Sequence, residues 1–315
     1  MSRPRFLPDN FTLALIGTLV VASVLPCRGK AAMIVDYLTN VAIALLFFLH
    51  GAKLSRQAVV AAASHWRLHI LVLLTTFVLF PLLGLALKPL LLPLVTPALY
   101  AGILFLCTLP STVQSSIAFT SIAKGNVPAA ICSASASSII GIFMTPLMVS
   151  LVLSSQVKSA SAWHTVGEIM VQLFVPFVCG QLLQPLIGGW IERNDGIVSA
   201  VDQGSILLIV YSAFSEAVTE GLWHQVPPSA LAAVLVADGI LLAAALTITS
   251  FVSKWLGFGQ ADQVTIIFCG SKKSLSQGVT VAKVIFASHA VGAVILPLML
   301  FHQIQLMVCA ALAQR

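Results

Sequence analysis

Apolar stretches long enough to cross a bilayer recur along this chain, parted by short polar turns. The pattern predicts ten spans. The first three are Phe11 to Leu25, Tyr37 to Gly51 and Leu68 to Leu87. The fourth begins near Ala98 and is interrupted around Pro110 to Ser116, and the fifth is Val127 to Leu153. Val166 to Ile187 and Val201 to Val218 follow, separated by the polar run Glu192 to Gly196. The last three are Ser229 to Val252, one from Val264 interrupted around Gly270 to Ser274, and His289 to Leu312. The basic start and first apolar run have the outline of a signal peptide. They lack small-residue cleavage chemistry and lead straight into further apolar spans, so they are read as a retained membrane helix. The predicted fold class is an all-α polytopic membrane protein.

Composition supports that reading. Hydrophobic residues make up 59% of the 315 and charged residues 8%, against about 25% charged in soluble domains. No water-soluble surface can be built from so few charges. The net charge of +6 comes without a basic run interleaved with aromatics, which argues against nucleic acid. Lys and Arg instead distribute by topology. With the N-terminus inside, nine fall in inner segments and five in outer ones, so both termini are expected in the cytoplasm. A short chain with little loop decoration suits a bacterial inner (plasma) membrane. The six cysteines form no C-x-x-C pair, and the seven histidines lack metal-ligand spacing. Paired carboxylates and a Ser–His arrangement in a shared polar stretch are missing too, so neither an enzyme nor a bound cofactor is expected.

The two halves resemble each other. Ser115 to Lys124 can be laid on Ser274 to Lys283, and Thr145 to Met148 (T-P-L-M) on Leu296 to Met299 (L-P-L-M) once a gap of eight residues is allowed. Residues 1–160 and 161–315 are therefore read as two five-helix repeats. Five is odd, so the second repeat is inverted in the membrane, an architecture common in secondary transporters.

Both matches follow an interrupted helix. In the fourth span Pro110 removes a donor, and Ser111, Thr112, Gln114, Ser115 and Ser116 offer side-chain oxygens. In the ninth, Gly270 and Gly278 loosen the helix among Ser271, Ser274, Ser276 and Gln277. Corresponding breaks in two halves point to a substrate site; the alternative is a pair of Ser-rich packing contacts. Lys272 and Lys273 fall within the ninth span. An ammonium there costs roughly 2.5–3.5 kcal/mol on insertion scales. It could bind an anionic substrate, replace a bound cation or carry a proton, unless both lysines sit in a cytoplasmic loop. Asp238, alone in the apolar eighth span, is either their counter-ion or a structural hydrogen-bonding group. Thr75 and Thr76 precede Pro81 and would bond freed carbonyls. Ser133, Ser135, Ser137 and Ser138 face a cavity or permit tight packing. His302, Gln303 and Gln305 are read as scattered helix contacts.

These residues resemble the bile acid:sodium symporter family over nearly the whole chain. The resemblance is clearest at the fourth break with I-A-K-G-N-V (Ile122 to Val127) and T-P-L-M. S-K-K-S-L (Ser271 to Leu275) and H-W-R-L-H (His65 to His69) look most like the branch containing solute carrier family 10 member 7 and its bacterial relatives. The resemblance implies ten helices, with helices four and nine broken and crossing at the midplane. It implies a core domain from helices 3–5 and 8–10, and a panel from helices 1, 2, 6 and 7. The family's sodium ligands would fall on Ser115 and Ser116, on Ala130 and Ala134, on Thr76, on Cys269 and on Lys273. Two alanines, a cysteine and a lysine make poor ligands for a hard cation. Sodium at Ser115 and Ser116 or a proton stays open as coupling ion, with Lys273 in place of one cation. The expected function is alternating-access transport of a small organic anion, a carboxylate or sulfate, across the lipid bilayer. Thr76, Thr112, Gln114, Ser115, Ser116, Asp238, Ser271, Lys272, Lys273 and Ser274 would line the substrate and ion sites. The alternative is a non-transporting membrane regulator or ligand sensor on the same fold. A homodimer is compatible with either.

Overall fold

Lipid offers no partner to a backbone N–H or C=O, so each segment must close its own hydrogen bonds, and helices do so. The computed structural model describes residues 10–53, 65–153, 162–219, 221–286 and 291–314, and every regular element among them is helical. The first five helices are α1 (Asn10–Val24), α2 (Lys30–Lys53), α3 (Trp66–Ala86), α4 (Pro97–Thr108) and α5 (Val113–Ile122). Next come α6 (Val127–Val152), α7 (Ala162–Arg193), α8 (Asp195–Thr219) and α9 (Pro228–Trp255). The last are α10 (Gln260–Gly270), α11 (Leu275–Ile285) and α12 (Val291–Ala313).

Among the described residues, seven helices, α2, α3, α6, α7, α8, α9 and α12, are long and apolar enough to cross a membrane. The pair α4–α5 passes as one more span, bent by 62°. The predicted first and ninth spans are shorter pieces: α1 has 15 residues, and α10 and α11 have 11 each. The count of ten therefore depends on including α1 and the α10–α11 pair. Arg3, Arg5, Arg56, Lys158 and Arg315, which enter the topology count, lie outside the described residues. So do the repeat boundary at 160–161 and the start of the tenth span at His289.

Local chemistry sets the helix ends. The Thr96 hydroxyl accepts from the Leu99 N–H and caps α4, and the Asn126 side chain accepts from the Ala129 N–H and caps α6. A proline follows each cap, where its missing N–H costs nothing. The polar run predicted as a loop between the sixth and seventh spans is nearly all helix. Only Asn194 separates α7 from α8, and Asp195 opens α8 where a carboxylate suits the helix dipole.

The chain divides into two compact units. One comprises Met1–Leu54, Val171–Gln225 and Val279–Ala293; the other comprises Ser55–Met170, Val226–Gly278 and Val294–Arg315. Within the first unit α2 and α8 run antiparallel. Lys53 pairs with Asp202 at one end, and Lys283 bridges Asp36 and Glu216 at the other. Asp36 and Lys53 are about 26 Å apart along α2, close to the ~30 Å hydrocarbon thickness. Here α2 also meets α7 at backbone contact. A Cβ on Gly51 would lie 2.0 Å from the Phe177 carbonyl oxygen, and one on Gly180 would lie 2.0 Å from that of Phe48. Within the second unit, Leu68 and Val72 of α3, Ala129 and Ala130 of α6, and Ile266 and Cys269 of α10 form a buried cluster. This cluster fixes the helices around the two breaks.

Candidate functional site

The first break covers residues 109–112 and is shorter than predicted: Ser115 and Ser116 already lie within α5. A helix leaves its last carbonyls without partners, and Pro110 supplies no N–H to take one. Each carbonyl here is nonetheless satisfied. Thr108 O accepts from the Thr145 hydroxyl at 3.1 Å, and Pro110 O accepts from the Ser274 N–H at 2.9 Å. Cys107 O and Leu109 O both accept from the Lys273 ammonium, at 3.0 and 2.7 Å.

The second break covers residues 271–274 and is closed mainly by the first. Cys269 O accepts from the Ser111 hydroxyl at 2.6 Å, and Phe268 O from that of Ser116 at 3.2 Å. Lys273 O accepts from the Thr112 hydroxyl at 2.7 Å and from the Gln305 amide at 2.9 Å. The same Gln305 side chain accepts from the Lys273 N–H at 2.9 Å. Ser271 donates to Ile267 O at 2.6 Å, and the Ser274 hydroxyl accepts from the Gln277 N–H at 3.3 Å at the start of α11. Two stretches of unwound backbone thus meet deep in the protein and satisfy each other.

Both lysines are fully buried, and neither pairs with a carboxylate among the described residues. Lys273 has a third carbonyl, Thr76 O, at 2.8 Å. The local backbone explains why that oxygen is free. Residues Thr75–Leu79 form a π turn in which the Phe80 N–H bonds Thr75 O. In that register Thr76 O would need the N–H of residue 81, which is a proline. The ammonium takes the orphaned oxygen and also lies 4.1 Å from the Phe80 ring centroid. Lys272 donates to Ser115 O at 2.7 Å and lies 3.8 and 5.4 Å from the Phe119 and Phe268 ring centroids.

Several expectations need correction. Asp238 is not the lysines' counter-ion: it is fully buried, and neither carboxyl oxygen has a hydrogen-bond partner among the described residues. Gln114 is exposed on α5 rather than drawn into the crossing. Thr76 contributes its carbonyl, while its hydroxyl bonds back to Val72 O at 2.8 Å. The Ser115 carbonyl serves Lys272, and its buried hydroxyl has no partner among the described residues. Gln305, read as a scattered contact, clamps both polar groups of the Lys273 peptide. Its only sequence signal is an amide in the polar trio His302, Gln303 and Gln305 of an otherwise apolar span. The serine patch on α6 is divided: Ser137 accepts from the Ser111 N–H, Ser138 meets Gln277, and Ser133 meets His69.

The residues present do not fit a sodium ion at the positions the resemblance suggests. The Ser116 hydroxyl is engaged with Phe268 O. Ala130 and Ala134 are buried hydrocarbon, and the Cys269 thiol points at Ala130 O at 3.9 Å. A hard cation prefers an oxygen-rich, negatively charged shell, and the carbonyls available here already hold an ammonium.

Residues 9–315 match the SBF-like CPA transporter family. "Uncharacterized protein PA2026" of Pseudomonas aeruginosa is 62% identical over 315 residues, covering 100% of this chain and 95% of that protein. "Putative symporter YfeH" of Escherichia coli (strain K12) is 52% identical over 310 residues, covering 98% and 92%. "Sodium/bile acid cotransporter 7-B" of Xenopus laevis is 29% identical over 314 residues, covering 98% and 91%.

Proposed function

The chain belongs to the SBF-like CPA transporter family, and on that premise we propose that it is a secondary transporter of a small organic anion in which Lys273 replaces a coupling cation. The observation that carries this reading is the Lys273 ammonium held by three backbone carbonyls where the two broken helices meet. Carbonyl oxygens around a monovalent charge are the usual surroundings of a bound alkali ion, and here a tethered ammonium fills that role. With Lys272 it places two buried positive charges at the crossing, and the N-termini of α5 and α11 add positive dipole ends. This field attracts a carboxylate or sulfate near Thr112, Ser115 and Ser274, while the lysine heads themselves stay on the backbone.

Access alternates as the core, which carries both breaks, changes its orientation against the panel of α1, α2, α7 and α8. The two halves are inverted repeats, and both termini face the cytoplasm of a bacterial inner membrane. A built-in cation removes the need for sodium. Counterflow in proteoliposomes tests this: labelled organic carboxylates and sulfates should exchange in potassium buffer as fast as in sodium buffer. Absence of exchange for every anion would favour a ligand-sensing regulator, and exchange that requires sodium would overturn the role of Lys273.

A further inference from the structure

Asp238 sits in the middle of α9, in the apolar run V-L-V-A-D-G-I-L-L (Val234 to Leu242). Its relative exposure is 0%, and neither carboxyl oxygen has a hydrogen-bond partner among the described residues. An ionised carboxylate there would carry its full desolvation cost with no donor to offset it. The two buried lysines are committed elsewhere: Lys273 to three carbonyls, Lys272 to Ser115 O and two aromatic rings.

The helices packed most closely on α9 are α10, α4 and residues 75–86 of α3. From α10 come Asp262, which accepts from Asn126, and Cys269, which points at Ala130 O. From α4 come Tyr100, which donates to Gly84 O, and Cys107. Residues 75–86 bring no ionisable group. Among the described residues of these helices, no fixed cation holds Asp238 in its charged form. It is nonetheless near the crossing: α9 packs against α4, whose Cys107 carbonyl holds Lys273, and against α10, which leads into the second break.

We propose that Asp238 is the proton-binding group of this transporter, neutral in the arrangement described and ionised in another stage of the cycle. Ionisation transfers the carboxyl proton to water and leaves a negative charge on α9, the helix packed against α4 and α10, which lead into the two breaks. A solute anion competes for the positive field of the crossing, so anion binding favours the protonated carboxyl and proton binding favours the anion. Linkage makes the two effects equal. The outcome is proton–anion symport. This step rests on the transport reading above; the existence of the proton site does not.

Infrared difference spectroscopy of the full-length protein in lipid bilayers, titrated with acid and base and without any solute, tests the site. The expected result is a protonated-carboxyl C=O band at neutral pH that disappears at alkaline pH. The band should be lost in Asp238→Asn and shifted in Asp238→Glu, which serves as the control should the amide variant fold poorly. A spectrum without that band, or one unchanged in both variants, overturns the proposal. Because no solute is present, failure of the counterflow experiment would leave this result standing. Conversely, anion exchange without the band would keep transport and remove Asp238 from it.

Discussion

Replacing Lys273 with alanine is the most direct perturbation of the crossing, and its size follows from the hydrogen bonds. The substitution strips the ammonium from Thr76 O, Cys107 O and Leu109 O, held at 2.8, 3.0 and 2.7 Å. A buried acceptor left unsatisfied costs about 1–3 kcal/mol, so three set a scale of about 3–9 kcal/mol. Removing the ammonium also removes its own burial cost of several kcal/mol. The net expectation is a loss of about 2–4 kcal/mol. The carbonyls then surround a space in which a small monovalent cation can replace the ammonium. A ligand at a hundred times its Kd restores about 2.7 kcal/mol. Lys273→Ala should therefore melt earlier than the wild type and recover most of the loss in sodium chloride, but not in choline chloride. The wild type should show no such difference. Lys273→Met fills the space without charge and should not respond to sodium. Thermal melting of the purified proteins in the two salts decides the matter. An unperturbed, salt-indifferent Lys273→Ala would refute the cation-surrogate argument, as would a wild type stabilised by sodium.

Three further outcomes follow from the same geometry. Gln305→Leu removes the acceptor of the Lys273 N–H while Thr112 still serves the Lys273 carbonyl. The loss should be about 1–3 kcal/mol, read as earlier melting and faster amide exchange in the 271–274 peptide. Gly180→Ala would place a Cβ 2.0 Å from the Phe48 carbonyl oxygen. Overpacking of about 1–3 kcal/mol or more should lower the folded yield, whereas Gly17→Ala, with nothing within 4 Å, should leave it unchanged or raised. Thr145→Val orphans Thr108 O, the one terminal α4 carbonyl served by α6, and should lower the melting temperature by an amount equivalent to about 1–3 kcal/mol.

The helices and the presence of both breaks were legible because each has a cause written in side chains: apolar length, Pro110, Gly270. The extent of the first break was misread because serine looks like a helix breaker. A serine hydroxyl can bond to a carbonyl while its own backbone stays helical, and Ser116 does so across the crossing, to Phe268 O. The lysines' partners were illegible for a different reason. A search for a buried cation's partner looks for a carboxylate and finds Asp238, but Lys273 is held by main-chain oxygens, which every residue carries. What distinguishes those oxygens is the N–H that is missing near them. Thr76 O is free because Pro81 falls five residues on within a π turn, and Cys107 O and Leu109 O are free because α4 ends at Thr108, just before Pro110. Thr76 O is orphaned by a proline, and Cys107 O lies at the negative end of the α4 dipole. A buried lysine opposite a helix that ends at proline can therefore be stable without any acidic partner. It follows that adding one should not help. A carboxylate placed at position 269, Cys269→Glu, would bring a negative charge beside the carbonyl cluster and compete with it for the two ammoniums. The expected outcome is a looser crossing that melts earlier and regains sodium dependence; a more stable, sodium-indifferent variant would show that the lysines lacked a counter-ion after all.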